Sequence, residues 1–240
     1  MRILLSQLQT ELMQSIRQGE QVLVSVGIPV IVLAFFSTVD ILPVGVEQPV
    51  DFVAPGVLAL AVMSTALVSL GISTGFDRHY GVLKRLGASP LGRPRWVLSK
   101  VLMVLLIEIV QWVILIAVGV ALGWSGEGDW AVAVLAALLG TSAFAGVGLF
   151  MAGLLPGLLN MASTNGLYLL LLLSGGMVLP IDHLPGPLAA VSNALPAAPL
   201  TEIISGAFGV QQAADSRAWV TLVLWAVIAP IAAVLTFRWD

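Results

Sequence analysis

The sequence predicts an all-α membrane protein with six transmembrane helices, an N-terminal interfacial helix and a re-entrant outer helical hairpin between spans five and six. Of its 240 residues, 59% are hydrophobic and only 10% are charged, whereas a soluble domain usually carries about 25% charged residues. A core of this size cannot hide so much apolar surface from water, so lipid must cover part of it. The apolar runs are continuous rather than alternating, which favours helices, because a helix satisfies its own backbone hydrogen bonds in lipid.

Six apolar runs follow one another along the chain, which we treat as one transmembrane domain over residues 1–240. A helix of about 20 residues crosses the hydrocarbon core of a bilayer, and each run is close to that length or longer. The predicted spans are Val22–Leu42, Phe52–Gly75, Val97–Gly123, Trp130–Leu155, Ala162–Leu179 and Ala218–Phe237. An even number of spans leaves both termini on the same side of the membrane.

Residues 1–20 are too polar to cross the bilayer, but they carry a helical pattern. An apolar side chain recurs at every fourth position, at Leu4, Leu8, Leu12 and Ile16, which makes one apolar stripe along a helix. We expect this helix to lie in the interface before the first span and to be retained, because a signal peptide begins its apolar run sooner. A simple membrane anchor and a gating element both fit this pattern.

Basic residues are distributed unequally between the two sides of a six-span arrangement. One side takes nine of them: Arg2, Arg17, Arg78, Lys84, Arg85, Arg93, Arg95, Lys100 and Arg238. The other side takes Arg217 with eight acidic residues: Asp40, Glu47, Asp51, Glu127, Asp129, Asp182, Glu202 and Asp215. Because cytoplasmic loops are enriched in lysine and arginine, we expect both termini and the loop between spans two and three to be cytoplasmic.

The segment 77–96 carries much of this positive charge between spans two and three. Its first part, Asp77–Leu86, has the composition of a short helix that continues out of span two. We expect Tyr80, Leu83, Leu86 and the aliphatic part of Lys84 to share one side of that helix. Such a cationic, apolar helix suits docking to another protein or to anionic lipid headgroups, and the pattern does not choose between them.

The segment 181–209, between spans five and six, is too apolar for a free loop and too rich in proline for one helix. Prolines divide it into Leu184–Leu195 and Leu200–Phe208, each too short to cross the bilayer. We expect two short helices that dip back into the outer leaflet, which is tolerated where the backbone packs on protein. A lid that only packs on the surface is the simpler alternative.

Glu108 is the one ionisable residue deep in a predicted span, and Gln111 follows it one turn later. A carboxylate in lipid is costly, so Glu108 should face protein or water, and we expect Gln111 to hydrogen-bond it. A neutral, hydrogen-bonded packing residue is the simpler interpretation, and a group on a translocation path is the functional one. Asn160 and Asn165 are expected to form the turn between spans four and five.

Motifs for catalysis and for nucleotide binding are missing from the sequence. It contains no cysteine and only two histidines, and it lacks the patterns GxxxxGK[ST], HExxH and GxSxG. We therefore expect no catalytic residue, no metal site and no cofactor in this chain, and no ATP hydrolysis by the chain itself. His183, which follows Asp182, is expected to be a loop residue rather than a metal ligand.

Three stretches, in order along the chain, resemble the permease subunits of the ABC exporter type-2 family, which includes drug and antibiotic efflux systems. The first resembles the cytoplasmic coupling segment of that family and is carried by Asp77, Arg78, Gly81, Val82, Leu83, Arg85, Leu86, Pro90 and Leu91. Val82 stands where threonine is usual, and Lys84 where glutamate is usual. The other two are "DFVAPGVLAL" at the entry to span two and "SGGMVLPIDHLPGPLAAVSNALPAAPLTEIISGAF" before span six.

This resemblance implies the membrane-spanning permease subunit of an ATP-driven exporter in a bacterial cytoplasmic membrane. It implies a second six-span permease subunit, the same or a related chain, and two copies of an ABC ATPase subunit that bind ATP and magnesium. The ATPase-coupling residues would be Asp77, Arg78, Tyr80, Leu83, Lys84, Arg85 and Leu86. Membrane lipids are the other expected partner, and nucleic acid is not expected to bind.

The composition of the spans favours an amphiphilic or hydrophobic substrate, such as a drug or a lipid, because the path would be lined mainly by apolar side chains. A function of another class is also open. The chain would then be a non-transporting membrane scaffold or assembly subunit that uses its basic loop to recruit a soluble partner.

Overall fold

The computed structural model describes residues 2–17, 19–39, 49–87, 93–177 and 185–237, and the regular structure within these ranges is helical. The helices are α1 (Arg2–Arg17), α2 (Gly19–Thr38), α3 (Pro49–Met63), α4 (Leu70–His79), α5 (Val82–Gly87), α6 (Arg93–Ala121), α7 (Trp130–Leu154), α8 (Gly157–Ser174), α9 (Gly186–Ala194), α10 (Ala197–Ala207) and α11 (Ser216–Thr236). A π-helical stretch, Ser64–Ser69, joins α3 to α4, so Pro49–His79 is one unbroken helix of 31 residues. Predictions made for Asp40, Glu47, Pro90, Leu91, Asp182, His183 and Arg238 concern residues outside the described ranges.

Within the described residues, five helices are long and apolar enough to cross a membrane: Pro49–His79, Arg95–Ala121, Trp130–Leu154, Gly157–Ser174 and Ser216–Thr236. They correspond to predicted spans two to six, with ends that agree to within about five residues. Helix α2 lies where span one was predicted, but its described apolar part, Ser25–Thr38, is shorter than a full crossing. The count of six spans therefore stays a prediction.

The helix Pro49–His79 forms the centre of the fold. In its most apolar window 89% of the residues are buried, compared with 28% in α6, α8 and α11. It packs against α2, α6, α7, α8 and α10. The outer helices carry exposed leucine, isoleucine and valine side chains on their other faces, which suits contact with lipid or with another membrane subunit.

Helix α7 packs closely against α11, at a point where a proline interrupts the hydrogen bonding of α11. Pro230 has no N–H group, which leaves the carbonyl oxygen of Ala226 without its helical donor. The Ser142 hydroxyl group of α7 donates to that oxygen over 2.8 Å. Gly146 permits the approach, because a Cβ atom there would lie 2.6 Å from the carbonyl carbon of Ala229.

The connection between α7 and α8 is shorter than the sequence analysis predicts. Helix α7 ends at Leu154 and α8 begins at Gly157, just after Pro156. The prediction that Asn160 forms the turn is wrong, because this residue is fully buried in α8 and its Nδ2 atom donates to the Gly71 carbonyl oxygen over 2.9 Å. Asn165 also lies within α8, on an exposed position.

The end of the molecule that carries α9 and α10 is closed by aromatic side chains. Phe208 contacts Trp130 and Trp124, with ring centroids 4.8 and 5.1 Å apart, and the Asp129 N–H donates to the Ala207 carbonyl oxygen over 2.8 Å. Two short helices lie here as predicted, and α10 is largely buried against α3, α7 and α11. Their re-entry into a bilayer remains a prediction.

Candidate functional site

The segment predicted to couple this chain to a partner forms a helical turn at the opposite end of the molecule. Helix α4 ends at His79, and α5 begins only at Val82. The single helix predicted over Asp77–Leu86 is therefore wrong. The break is at Gly81, whose φ angle of +69° lies in the left-handed region that glycine adopts without steric cost.

The side chains of this turn do not share one apolar face as predicted. Leu83 is 0% exposed and belongs to the hydrophobic core, and Leu86 is partly buried against that core. Tyr80 is 68% exposed, with its ring stacked at 6.1 Å on Phe76. Leu83 thus holds the turn in the hydrophobic core of the chain, and its role in coupling stays a prediction.

Tyr80, Lys84 and Arg85, which we call the basic tip, are exposed on the surface of the turn beside the exposed His79. The tip is fixed to the transmembrane helices from two sides. Arg78 Nη1 donates to the carbonyl oxygen of Ala152 over 3.2 Å, near the carboxyl end of α7. Such a contact is favourable, because the last carbonyl groups of a helix lack backbone donors and carry partial negative charge.

The second attachment is an ion-pair cluster around Lys100. Its Nζ atom lies 2.7 Å from Glu11 Oε2 and 2.8 Å from Asp77 Oδ2, and its side chain is only 3% exposed. The same Nζ atom lies 5.8 Å from the centre of the Trp96 ring. Because Glu11 belongs to α1 and Asp77 to α4, one ammonium group of α6 joins the amino-terminal helix to the helix that carries the tip.

Neither Lys100 nor Glu11 is among the site residues predicted from the sequence. From the sequence, Lys100 is placed only among the nine basic residues of the cytoplasmic side. One signal was present in the sequence. Lys100 lies beyond Trp96, inside the apolar run of span three, where an ammonium group requires a partner.

Glu108 and Gln111 lie near the middle of α6, where they contact different neighbours. Gln111 Oε1 accepts a hydrogen bond from the Thr65 hydroxyl group over 2.7 Å, and its Nε2 atom donates to the Ser25 carbonyl oxygen over 3.0 Å. The predicted hydrogen bond between Glu108 and Gln111 is therefore wrong. The physical reason is Pro29, which has no N–H group and leaves the Ser25 carbonyl oxygen in need of a donor.

Glu108 faces α7 instead. It is 6% exposed, and its Oε2 atom lies 2.7 Å from the hydroxyl oxygen of Thr141. The other carboxyl oxygen, Oε1, is buried without a hydrogen-bond partner. Since buried polar atoms are rarely left without a partner, Glu108 is the residue within the described transmembrane region that most requires an explanation.

Among the residues that the structure describes, no three histidine, aspartate or glutamate side chains lie close enough together to bind a metal ion. The two arrangements that stand out are therefore the basic tip with its attachments and the buried carboxyl group of Glu108. The first can transmit a force or a displacement between a bound partner and three helices. The second can accept a hydrogen bond within the membrane.

A comparison with known protein families agrees with this architecture. The family model described as ABC-2 type transporter matches residues 4–208. No curated protein matches the chain. Since the match runs from α1 to the residue after α10, over most of the chain, the protein belongs to the ABC-2 type transporter membrane family and is a transport permease.

Proposed function

We propose that this chain is the membrane-spanning subunit of an ATP-driven exporter, in which the basic tip receives the movement of a separate ATPase. Two copies of the ATPase would bind ATP and magnesium beneath a pair of permease subunits. The observation that carries this proposal is the combination of an exposed tip with rigid attachments. Tyr80, Lys84 and Arg85 are exposed, while Leu83 lies in the core and Arg78 reaches α7.

The distribution of charge supports a cytoplasmic position for the tip and for both termini. Lys84, Arg85 and Arg95 are exposed at the end that carries the tip. The opposite end carries the exposed Arg217 with exposed acidic residues that include Glu127 and Asp129. An excess of basic residues on one side is the usual mark of the cytoplasmic side, which in a bacterium is the inner face of the plasma membrane.

Pairing with a second permease subunit is supported by the exposed faces of two helices. Helix α8 exposes Leu169, Leu170 and Leu173, and α2 exposes Ile31 and Phe35. The family resemblance implies that spans two and five lie at the subunit interface. In this chain span two is almost fully buried, so α8 and α2 offer the larger part of such an interface.

An amphiphilic or hydrophobic substrate is supported by the apolar character of the spans, and movement outward by the resemblance to exporters. Stimulation of ATP hydrolysis tests this part in nanodiscs that contain the chain and its ATPase. We expect candidate amphiphiles to raise the rate. Stimulation by small hydrophilic solutes alone would reject the substrate class, and recruitment of the ATPase without any stimulation would favour a scaffold.

Coupling through the basic tip is tested by reversing its charge. The tagged chain, solubilised from its native membrane, should co-purify an ATPase subunit, and the double variant Lys84→Glu, Arg85→Glu should reduce the recovered ATPase about tenfold or more. The reason is that charge contacts at an interface contribute on the order of 1 kcal/mol each, and like charges add repulsion. The matched control is Arg217→Glu, which changes an exposed arginine at the other end.

The two variants distinguish docking from a general effect of charge. Recovery of the ATPase should be unchanged in Arg217→Glu, and both variants should reach the membrane in wild-type amounts. Equal recovery of the ATPase with the wild type and with the double variant would show that the basic tip is not the docking surface.

A further inference from the structure

An apolar groove runs between α6 and α7 at the level of Glu108. Its volume is about 390 Å³, and it is lined by Leu105, Glu108, Trp112, Val113, Trp130 and Val134, among others. This volume lies in the range of about 300–1,000 Å³ that is typical of small-molecule sites. We call it the α6–α7 groove. It opens toward the side of the helices, because Val113 is 61% and Val134 47% exposed.

The α6–α7 groove exists because the two helices barely touch. Helix α6 packs mainly on α1, α2 and α3, whereas α7 packs mainly on α4, α10 and α11. The indole N–H groups of Trp112 and Trp130 donate to the carbonyl oxygens of Leu58 and Gly126, over 3.3 and 3.1 Å. These two indole rings therefore need no hydrogen bond from a ligand and offer it their aromatic surface.

Glu108 is the one ionisable group among the residues that line the groove. It is the middle residue of the 27-residue span Arg95–Ala121, which is roughly 20 Å from either end at about 1.5 Å per residue. Its Oε1 atom has no hydrogen-bond partner. A carboxyl group in this place, with an unused oxygen and apolar walls, is complementary to a ligand that has a hydrogen-bond donor and an apolar body.

The contacts of Thr141 indicate how Glu108 is held. Thr141 Oγ1 lies 2.7 Å from Glu108 Oε2 and 2.8 Å from the Ala137 carbonyl oxygen. A threonine hydroxyl group has a single hydrogen, so it donates to one of these acceptors. If Thr141 donates to Ala137, a protonated Glu108 that donates to Thr141 satisfies both contacts. Glu108 is then neutral, as expected for an isolated carboxyl group in hydrocarbon.

We propose that the α6–α7 groove is a binding site for a lipophilic amine that enters from the bilayer, with Glu108 as the partner of the amino group. A neutral amine takes the proton from Glu108, which leaves an ammonium–carboxylate pair with no change in total charge. A rotation of the Glu108 side chain brings the buried Oε1 atom to the groove, where the ammonium group donates to it, and the ring of Trp112, one helical turn away, stabilises the cation through its face. The proposal rests on the proposed function, since it names a substrate class for that permease.

The depth of Glu108 in the membrane determines which amines can reach it, and it favours a compact amine over an aminophospholipid. The hydrocarbon core is about 30 Å thick, so a residue at mid-span lies far from the headgroups. An aminophospholipid keeps its amino group at the surface, where Glu108 cannot reach it. The ligand is therefore a small lipophilic amine dissolved in the bilayer, and an aminophospholipid should not compete with it.

Photolabelling tests ligand binding to the groove on the purified permease, without any ATPase. A negative result would therefore reject this site without rejecting the proposed exporter function. The protein is placed in nanodiscs of zwitterionic lipid and exposed to three photoreactive probes. Each probe has the same alkyl tail with a diazirine group, and the head group is an amine, an alcohol or a sulfate. We expect the amine to label peptides around Val113 and Val134 most strongly. The alcohol should label them less and the sulfate least, because the proton of the neutral Glu108 is donated to Thr141 and Oε1 offers an anion no donor.

Two pairs of variants make the result specific. Glu108→Gln keeps the size of the side chain but cannot form the ion pair, and it should lower labelling by the amine about tenfold, the effect of about 1.4 kcal/mol. Val113→Trp fills the groove and should block labelling, whereas Val110→Trp should leave it unchanged. Val110 is the matched control, since it is 56% exposed on the same helix and does not line the groove.

Each outcome decides the proposal. Thermal unfolding of every variant in the nanodisc first shows that the helices remain assembled, and the two tryptophan variants leave Glu108 intact. The site is supported if Glu108→Gln and Val113→Trp lose labelling by the amine while Val110→Trp keeps it. Equal labelling of the wild type and Glu108→Gln, labelling by the sulfate as strong as by the amine, or competition by an aminophospholipid would overturn it.

Discussion

At the scale of the residue, Lys100 shows how a charge is kept inside the apolar part of the chain. It is 2% exposed, and two carboxylates from different helices lie within 2.8 Å of its ammonium group. A buried ion pair is not in itself strongly stabilising, because removing both groups from water costs much of the attraction between them. Removal of one partner is costly, because the other charge then stays buried without compensation.

Replacement of Lys100 should therefore destabilise the protein more than replacement of the whole pair. Lys100→Met leaves Glu11 as an unpaired buried carboxylate and should lower the free energy of unfolding by about 3–5 kcal/mol. The double variant Lys100→Met, Glu11→Gln removes that charge and should regain part of the loss. Thermal unfolding in detergent, followed by size-exclusion chromatography, compares the variants. A Lys100→Met variant as stable as the wild type would contradict this view of the cluster.

The two charged groups of α6 differ in how far the sequence predicts them. Glu108 could be selected because a single acidic residue in a long apolar run is unusual and must face something other than lipid. The partners of Lys100 could not be predicted, since Glu11 belongs to a segment far earlier in the chain. Only the packing of α1 against α6 brings the two together.

At the scale of the element, local sequence signals explain which helix ends are predictable. Helix α7 begins as predicted at Trp130, because the Asp129 side chain accepts hydrogen bonds from the N–H groups of Ala131 and Val132 and so caps the helix. Helix α8 begins earlier than predicted. Asn160 was interpreted as a turn residue, but it lies inside the helix, where its side chain donates a hydrogen bond to Gly71. No sequence pattern indicated the π-helical stretch Ser64–Ser69, whose first four residues are buried.

Close contact between α7 and α11 should depend on Gly146. Alanine in the interior of a helix is normally more favourable than glycine by about 0.5–1 kcal/mol. At Gly146 the added methyl group would lie 2.6 Å from the carbonyl carbon of Ala229, so Gly146→Ala should lower the thermal unfolding temperature. Gly166→Ala is the control, because no heavy atom lies within 4 Å of its Cβ position.

The comparison of these two glycine variants is measured on the purified chain. We expect Gly166→Ala to unfold at the wild-type temperature or slightly above it. If Gly146→Ala were equally stable, α11 would have to move away from α7 at little cost, and the Ser142–Ala226 hydrogen bond would not be a fixed part of the fold.

At the scale of the whole molecule, the fold places two chemically different ends on either side of an apolar bundle. One end holds the basic tip and the Lys100 cluster, and the other is closed by the ring contacts of Trp124, Trp130 and Phe208. Composition and the spacing of apolar runs were sufficient to predict the long apolar helices of the bundle, because lipid demands them, but not the Lys100 cluster or the ring contacts. The enclosure of Leu83 was not predictable, since a short cationic helix looks the same in sequence whichever side it buries.

The central claim is that the basic tip lies in the cytoplasm, where a separate ATPase reaches it. The chain contains no cysteine, so single cysteines can be introduced at two exposed positions, Lys84→Cys on the tip and Glu127→Cys at the opposite end. An impermeant maleimide applied to intact cells should label Glu127→Cys, and should label Lys84→Cys only after the membrane is opened. Labelling of Lys84→Cys in intact cells, with Glu127→Cys protected, would contradict the orientation and with it the coupling to an ATPase.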